Sequence, residues 1–198
     1  MKELLVATGN AGKVRELEAL LEGTGITLRS LRDFPHLPPT VEDGDSFEKN
    51  AIKKAREASA GTGLPVIADD SGLLVAALDG RPGVYSARYA GDGCSDADNN
   101  LKLLGELVDV PMSRRGAAFR CVIALCFPDG GCRTFGGELH GVITDEPSGD
   151  GGFGYDPLFM VPEYGMTLAE LPLEVKNRIS HRGRAVAALT QYLLENPF

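Results

Sequence analysis

The stretch that most constrains this chain is Leu64-Pro65-Val66-Ile67-Ala68-Asp69-Asp70-Ser71-Gly72-Leu73. Val66, Ile67 and Ala68 form a short apolar run that begins after a proline and ends abruptly in two carboxylates. That is the pattern of a buried strand whose C-terminal end opens into a polar site. In open α/β sheets ligands collect at the C-terminal edges of the strands, which puts Asp69 and Asp70 where chemistry is expected. Adjacent carboxylates repel and are costly to bury unless a cation compensates, and a hard divalent ion such as Mg²⁺ would do so. The alternative is local: Asp69 caps a turn, Asp70 N-caps a short helix, and Gly72 allows the bend. This stretch alone leaves both open.

At 198 residues the chain can form one large domain or two small lobes with a substantial core. A formal net charge of −8 argues against broad nucleic-acid or anionic-membrane binding, but not against a small anion in a locally basic pocket. The apolar run in Met1–Val6 is too short for a signal peptide and no stretch reaches the length of a membrane span, so a cytoplasmic location is expected. Cys94, Cys121, Cys126 and Cys132 form no C-x-x-C pair and have no histidine at zinc spacing, so free, structural thiols are expected.

Glu3 to Ala7 reads as a strand, followed by Thr8-Gly9-Asn10-Ala11-Gly12-Lys13 and then Val14, Leu17, Leu20 and Leu21 at helical spacing. A glycine-bearing turn that opens directly into a helix N-terminus attracts an anion, and Lys13 adds a full charge. The turn is shorter than a P-loop and lacks its Ser or Thr after the lysine; an ordinary βα turn is the plainer reading. Asp45 or Ser46 can N-cap the next helix, with Phe47, Ala51, Ala55 and Ala58 on one face and Lys53 or Lys54 free to meet a ligand. Glu42, just before that helix, is free to coordinate metal. Further on, Ser95, Asp96 and Asp98 lead into a helix with Leu101, Leu104, Leu107 and Val108 on one side. Ala117 to Phe127 and Cys132 to Phe135 read as a hairpin around Pro128-Asp129-Gly130-Gly131, so the sheet is expected to be mixed. In Gly149 to Pro157, the aromatics Phe153 and Tyr155 can stack on a flat base while Asp156 accepts from its ring N–H. Ser180 precedes a last helix with Val186, Leu189, Tyr192 and Leu193 on its buried side. Basic residues in a helix's first turn oppose its dipole, so His181, Arg182 and Arg184 point either to an anionic or carbonyl ligand or to salt bridges with acidic neighbours.

Six blocks now stand in order: Thr8 to Lys13, Glu42-x-Gly44 with Phe47 and Asn50-Ala51, Ala68 to Leu73, Pro82 to Arg88, Phe153 to Pro157, and Ser180-His181-Arg182. Together they resemble the noncanonical purine nucleoside triphosphate pyrophosphatases, the inosine triphosphate pyrophosphatase or HAM1-like family, over nearly the whole chain. The resemblance implies a single domain over residues 1–198. Its fold would be mixed α/β and two-lobed, with a long mixed sheet flanked by helices and a central cleft holding the site. It implies hydrolysis of XTP, ITP and dITP to the monophosphate and pyrophosphate, which cleanses the nucleotide pool against misincorporation, with one or more Mg²⁺ per subunit and a homodimer. By position, Asp70 would be the catalytic proton acceptor and a metal ligand, with Glu42 the second ligand. Thr8, Gly9, Asn10, Ala11, Gly12 and Lys13 would hold the triphosphate, and Lys54 and Ser71 would also contact substrate. Phe153, Gly154, Tyr155, Asp156, Lys176, His181 and Arg182 would shape the pocket for base and phosphates.

Metal next to a carboxylate lowers its pKa, which favours Asp70 acting through a metal-bound water. Donors from His181 or Arg182 would meet the 6-oxo group of hypoxanthine or xanthine, where adenine's 6-amino group leaves buried groups unpaired. Many relatives have Thr-Phe-x-Glu-Asn-Ala where this chain has Ser46-Phe47-Glu48-Lys49-Asn50-Ala51, so Lys49 is given no role. The competing readings are a nucleotide-binding module without turnover and a Maf-type pyrophosphatase, the latter opposed by the Phe153–Asp156 and Ser180–Arg182 blocks.

Overall fold

The computed structural model describes residues 2–196; Met1, at the head of the first apolar run, lies outside them. Among the described residues are strands β1 (Lys2–Val6), β2 (Ile26–Ser30), β3 (Val66–Val75), β4 (Gly116–Cys126), β5 (Cys132–Ile143), β6 (Phe159–Val161) and β7 (Met166–Thr167). The helices are α1 (Ala11–Leu21), α2 (Phe47–Thr62), α3 (Asp96–Glu106), α4 (Leu173–Ile179) and α5 (His181–Glu195). The strands form one sheet in the order β2-β1-β3-β4-β5-β6-β7. It is mixed, as expected: β1 runs parallel to β2 and β3, whereas β5, β6 and β7 pair antiparallel. Parallel neighbours need a crossover, and α1 and α2 supply those segments.

The chain divides into two compact units. The first takes the chain as far as Asp70, then Cys121–Gly137 and the chain from Arg182 onward. Its core gathers Leu4, Val6, Leu17, Ile67, Ile123, Leu125, Val186, Leu189 and Leu193. Val186, Leu189 and Leu193 of α5 are therefore where the helical spacing put them, and Tyr192 is partly buried with its ring 5.4 Å from that of Phe135. The second unit holds Ser71–Arg120 and Glu138–His181, with a core that includes Leu73, Leu103, Leu107, Phe119, Ile143, Tyr155 and Phe159.

Four features depart from the sequence reading. Strand β3 does not stop at the carboxylates but runs on through Asp69, Asp70, Ser71 and Gly72 to Val75, so neither aspartate caps a turn or a helix. The acidic pair is tolerated within a strand because successive side chains leave on opposite faces. On α3 the buried positions are Asn99, Leu103 and the following Leu107, while Leu101 and Val108 are about 70% exposed, at 70% and 73%. The Ser95–Asp98 capping box sets that helix's start. The return strand β5 continues to Ile143 rather than ending near Phe135. Finally, Cys126 and Cys132 are joined as a disulfide, leaving Cys94 and Cys121 as free thiols. The tight turn, closed by Phe127 N–H on Gly131 O, sets Cys126 against Cys132 with Cα atoms 4.2 Å apart, a proximity that linear spacing does not reveal.

Candidate active site

In the first unit the two aspartates of β3 serve different partners. Asp69 is fully buried and takes Lys13 Nζ on Oδ1 and Arg182 Nε on Oδ2 at 3.0 Å, with the Cys121 thiol donating to Oδ2 at 2.9 Å. Arg182, 2% exposed, also donates through Nη1 to Glu16 on α1. Burial alone would raise the Asp69 carboxyl, but Arg182 and Lys13 outweigh it and hold the group well below the carboxylate range. Burial and the neighbouring Asp69 push the Cys121 thiol far up, so it stays a neutral donor. The compensation expected of a metal is thus supplied at Asp69 by protein cations.

Asp70 faces Lys54, whose Nζ lies 3.2 Å from Asp70 Oδ1, 2.8 Å from Glu42 Oε1 and 2.8 Å from the Asp69 carbonyl oxygen. Asp70 Oδ2 is buried with no hydrogen-bond partner among the described residues. Burial raises the Asp70 carboxyl above its ordinary value, with Lys54 and Lys13 opposing and Glu42 adding to the rise. For Lys54 burial works against the charge, yet Asp70 and Glu42 raise it overall. Its neighbour Lys53 instead meets Asp43 at the surface, 2.7 Å away.

At the first turn, where the sequence suggests an anion cradle, the helix N-terminus carries its own cap. Asn10 is the N-cap of α1, and its Oδ1 accepts from Gly12 N–H at 2.9 Å and Lys13 N–H at 3.1 Å, while Asn10 N–H donates to Thr8 Oγ1. Two amides that were expected to face a phosphate are therefore capped. A Cβ on Gly9 would meet nothing within 4 Å, so the backbone there is open to approach. Ala11 begins α1, and Ser71 is half-buried on β3. Thr8, Gly9, Glu42 and Lys54 line one cavity of about 590 Å³ together with Phe34, Pro35 and Leu37.

In the second unit, Asp156 and Lys176 are both buried and paired at 2.6 Å, and Asp156 Oδ2 also accepts from Phe153 N–H at 2.9 Å. Lys176 Nζ sits 5.3 Å from the centroid of the half-buried Phe153 ring. Gly154 is held by α3, through Asp96 on its N–H at 2.7 Å and Asn100 on its carbonyl at 3.0 Å. Tyr155 is not a stacking surface: it belongs to the core, and its hydroxyl donates to Ser86 O at 2.8 Å. His181 stacks on Phe119, with centroids 4.8 Å apart and planes 12° from parallel.

Sequence reasoning missed Asp69, Glu16 and Cys121 as members of one buried network. A strand's alternation, extended past Ala68, separates the two aspartates, and Glu16 beside the apolar Leu17 is the remaining hint.

A mixed sheet with an interior strand that carries buried carboxylates against lysine and arginine defines an α/β protein with a buried charged cluster. The sequence model of the Ham1 family matches residues 4–192, and the chain belongs to that family. It is 63% identical to the dITP/XTP pyrophosphatase of Geobacter sulfurreducens over 98% of this chain and 97% of that protein. With the dITP/XTP pyrophosphatase of Geobacillus kaustophilus the identity is 51%, over 96% and 94% of the two chains. A solved HAM1 protein from Coxiella burnetii superposes with a TM-score of 0.90 at 43% identity, covering 99% of this chain and 100% of that one. The Staphylococcus aureus Ham1 protein gives 0.88 at 40% identity, covering 98% and 99%.

Proposed function

We propose that this chain hydrolyses the noncanonical purine nucleoside triphosphates dITP, XTP and ITP at the α–β phosphoanhydride bond, releasing the monophosphate and pyrophosphate. The observation that carries the reading is the buried Asp70, with one oxygen unpartnered and the other against Lys54, which itself lines a cavity with Thr8, Gly9 and Glu42. Relatives named dITP/XTP pyrophosphatase, identical at up to 63%, support the substrate class.

Asp70 accepts a proton from the attacking water. Lys54 keeps it ionised enough to act. The Thr8 hydroxyl, the open backbone at Gly9 and the charge of Lys13 serve the phosphates. Arg182 Nε and Nη1 bond Asp69 and Glu16, and the donor for the base 6-oxo group comes from His181 or Arg182. Phe153 offers the stacking ring, and the Asp156–Lys176 pair holds its loop.

The donor set fits Mg²⁺. No group of three or more His, Cys, Asp or Glu that could hold a metal occurs among the described residues, but Mg²⁺ is commonly bound by one or two carboxylates together with substrate phosphates. Glu42 and Asp70 would hold it, and the unpartnered Asp70 Oδ2 is a buried oxygen in want of a cation. Bound there, the ion would neutralise phosphate oxygens and acidify water. We also assign the protein a homodimeric, cytoplasmic existence, on the family resemblance; no described helix is long and apolar enough to cross a membrane.

Product analysis tests the reading. Incubation with ITP and Mg²⁺ should give IMP and pyrophosphate, with ATP and GTP barely consumed. IDP and orthophosphate would rule out attack at the α-phosphorus, and no turnover of ITP, XTP or dITP would favour a binding module.

A further inference from the structure

The segment that carries Glu42 is tied to α2 residue by residue. Glu42 meets Lys54 at 2.8 Å, Asp43 meets Lys53 at 2.7 Å, Gly44 N–H donates to Asn50 Oδ1 at 2.8 Å, and Asp45 meets Lys49 at 2.8 Å. The Lys53 and Lys49 ties lie at the surface, where ion pairs are screened and weak. Asn50 differs. It is 1% exposed and grips the backbone rather than a flexible side chain. It also precedes Lys54 by one helical turn, so the two leave α2 on the same face.

Two further facts mark Asn50 as more than filler. Its Nδ2 is buried with no hydrogen-bond partner among the described residues, a state an apolar residue of similar volume would avoid. A Cβ on Gly44 would come within 2.5 Å of Asn50 Oδ1, so the contact also dictates the residue at position 44.

We propose that Asn50, acting through Gly44, is a positioning residue that fixes the Glu42 carboxylate for the metal ion. Lys54 holds Glu42 by its tip and Asn50 holds the backbone two residues on, so Glu42 is presented in one place. The inference rests on the reading of Glu42 as a metal ligand.

A double-mutant cycle on Asn50→Ala and Gly44→Ala tests it, with the full chain. Mn²⁺ binding to the nucleotide-free protein is followed by electron paramagnetic resonance, Mg²⁺ half-saturation by ITP turnover, and folding by melting temperature. Each single change should weaken Mn²⁺ binding and raise the Mg²⁺ requirement by about ten- to hundredfold, the range seen when groups that orient metal ligands are removed. The double variant should be no worse than the weaker single one, because both break the same contact. Lys53→Met, which loses only a surface tie, should bind Mn²⁺ as the wild type does. Singles that melt lower yet bind Mn²⁺ normally, or effects that add in the double variant, would overturn the proposal. Should Asn50→Ala fail to fold, Gly44→Ala alone decides, since it displaces the same oxygen from the loop side. A wild-type protein that takes up no Mn²⁺, even with pyrophosphate added to supply the phosphate oxygens, would instead overturn the assignment of Glu42 itself.

Discussion

Lys54 Nζ lies 3.2 Å from Asp70 Oδ1, while the other oxygen of Asp70 is buried without a hydrogen-bond partner among the described residues. One half of the carboxylate is thus neutralised by the protein and the other half is left for something else. Burial raises the Asp70 carboxyl, and Lys54 is the largest opposing influence. Removing it leaves Lys13 as the remaining charge that opposes burial. Lys54→Met is therefore expected to push Asp70 further up. Because the proton acceptor must be ionised, activity will then be lost at a higher pH than in the wild type. The profile of kcat/KM against pH for ITP reads this directly, and an acid limb that stays put would detach Asp70 from the role.

Asp70→Asn keeps the shape of the side chain and removes its basicity. If Asp70 accepts the proton, kcat should fall by about 10²- to 10⁴-fold. Nucleotide affinity, measured by calorimetry without divalent metal, should change by less than about fivefold, since the loss of the base falls on the transition state. Equal losses in affinity and rate would make Asp70 a binding group only.

Asp69 is expected to matter for stability rather than for turnover alone. Asp69→Asn leaves Arg182 and Lys13 facing an uncharged partner in the interior. Breaking one side of a buried ion pair typically costs about 3–5 kcal/mol. The pH dependence follows from the sign of the shift. A carboxyl held well below its usual 3.8 contributes stability that is present above that value and lost as pH falls towards the depressed one. Denaturant titrations should show that acid-side loss in the wild type and a smaller one in Asp69→Asn.

The first strand, the glycine turn and helix after it, the helix from Phe47 and the hairpin at Asp129 were legible because each rests on local pattern: periodicity, caps and turn residues. What local pattern cannot give is which partner a charge meets. Asp69 and Asp70 look alike in sequence, yet the strand's alternation sends one to Arg182, 113 positions along the chain, and the other to Lys54. The Asn10 cap is a local device that the sequence reading, drawn to the glycines and Lys13 of the same turn, does not single out. Cys126 and Cys132 look like independent thiols in sequence because C-x₅-C becomes a pair only once the turn has brought the strands together.

Phe153 and Tyr155, two residues apart in one loop, are expected to behave oppositely. The Phe153 ring is half-buried and lies beside Lys176 Nζ, whereas Tyr155 is in the core with its hydroxyl on Ser86 O. Phe153→Ala should therefore weaken binding of ITP, by the roughly 1–3 kcal/mol that an aromatic–base stack is worth, and barely move the melting temperature. Tyr155→Phe keeps the ring and deletes one buried hydrogen bond, a loss of about 1 kcal/mol of stability with KM for ITP unchanged. Measured together, the two variants separate the roles: a raised KM in Tyr155→Phe with normal melting would mean that the tyrosine, and not Phe153, faces the base.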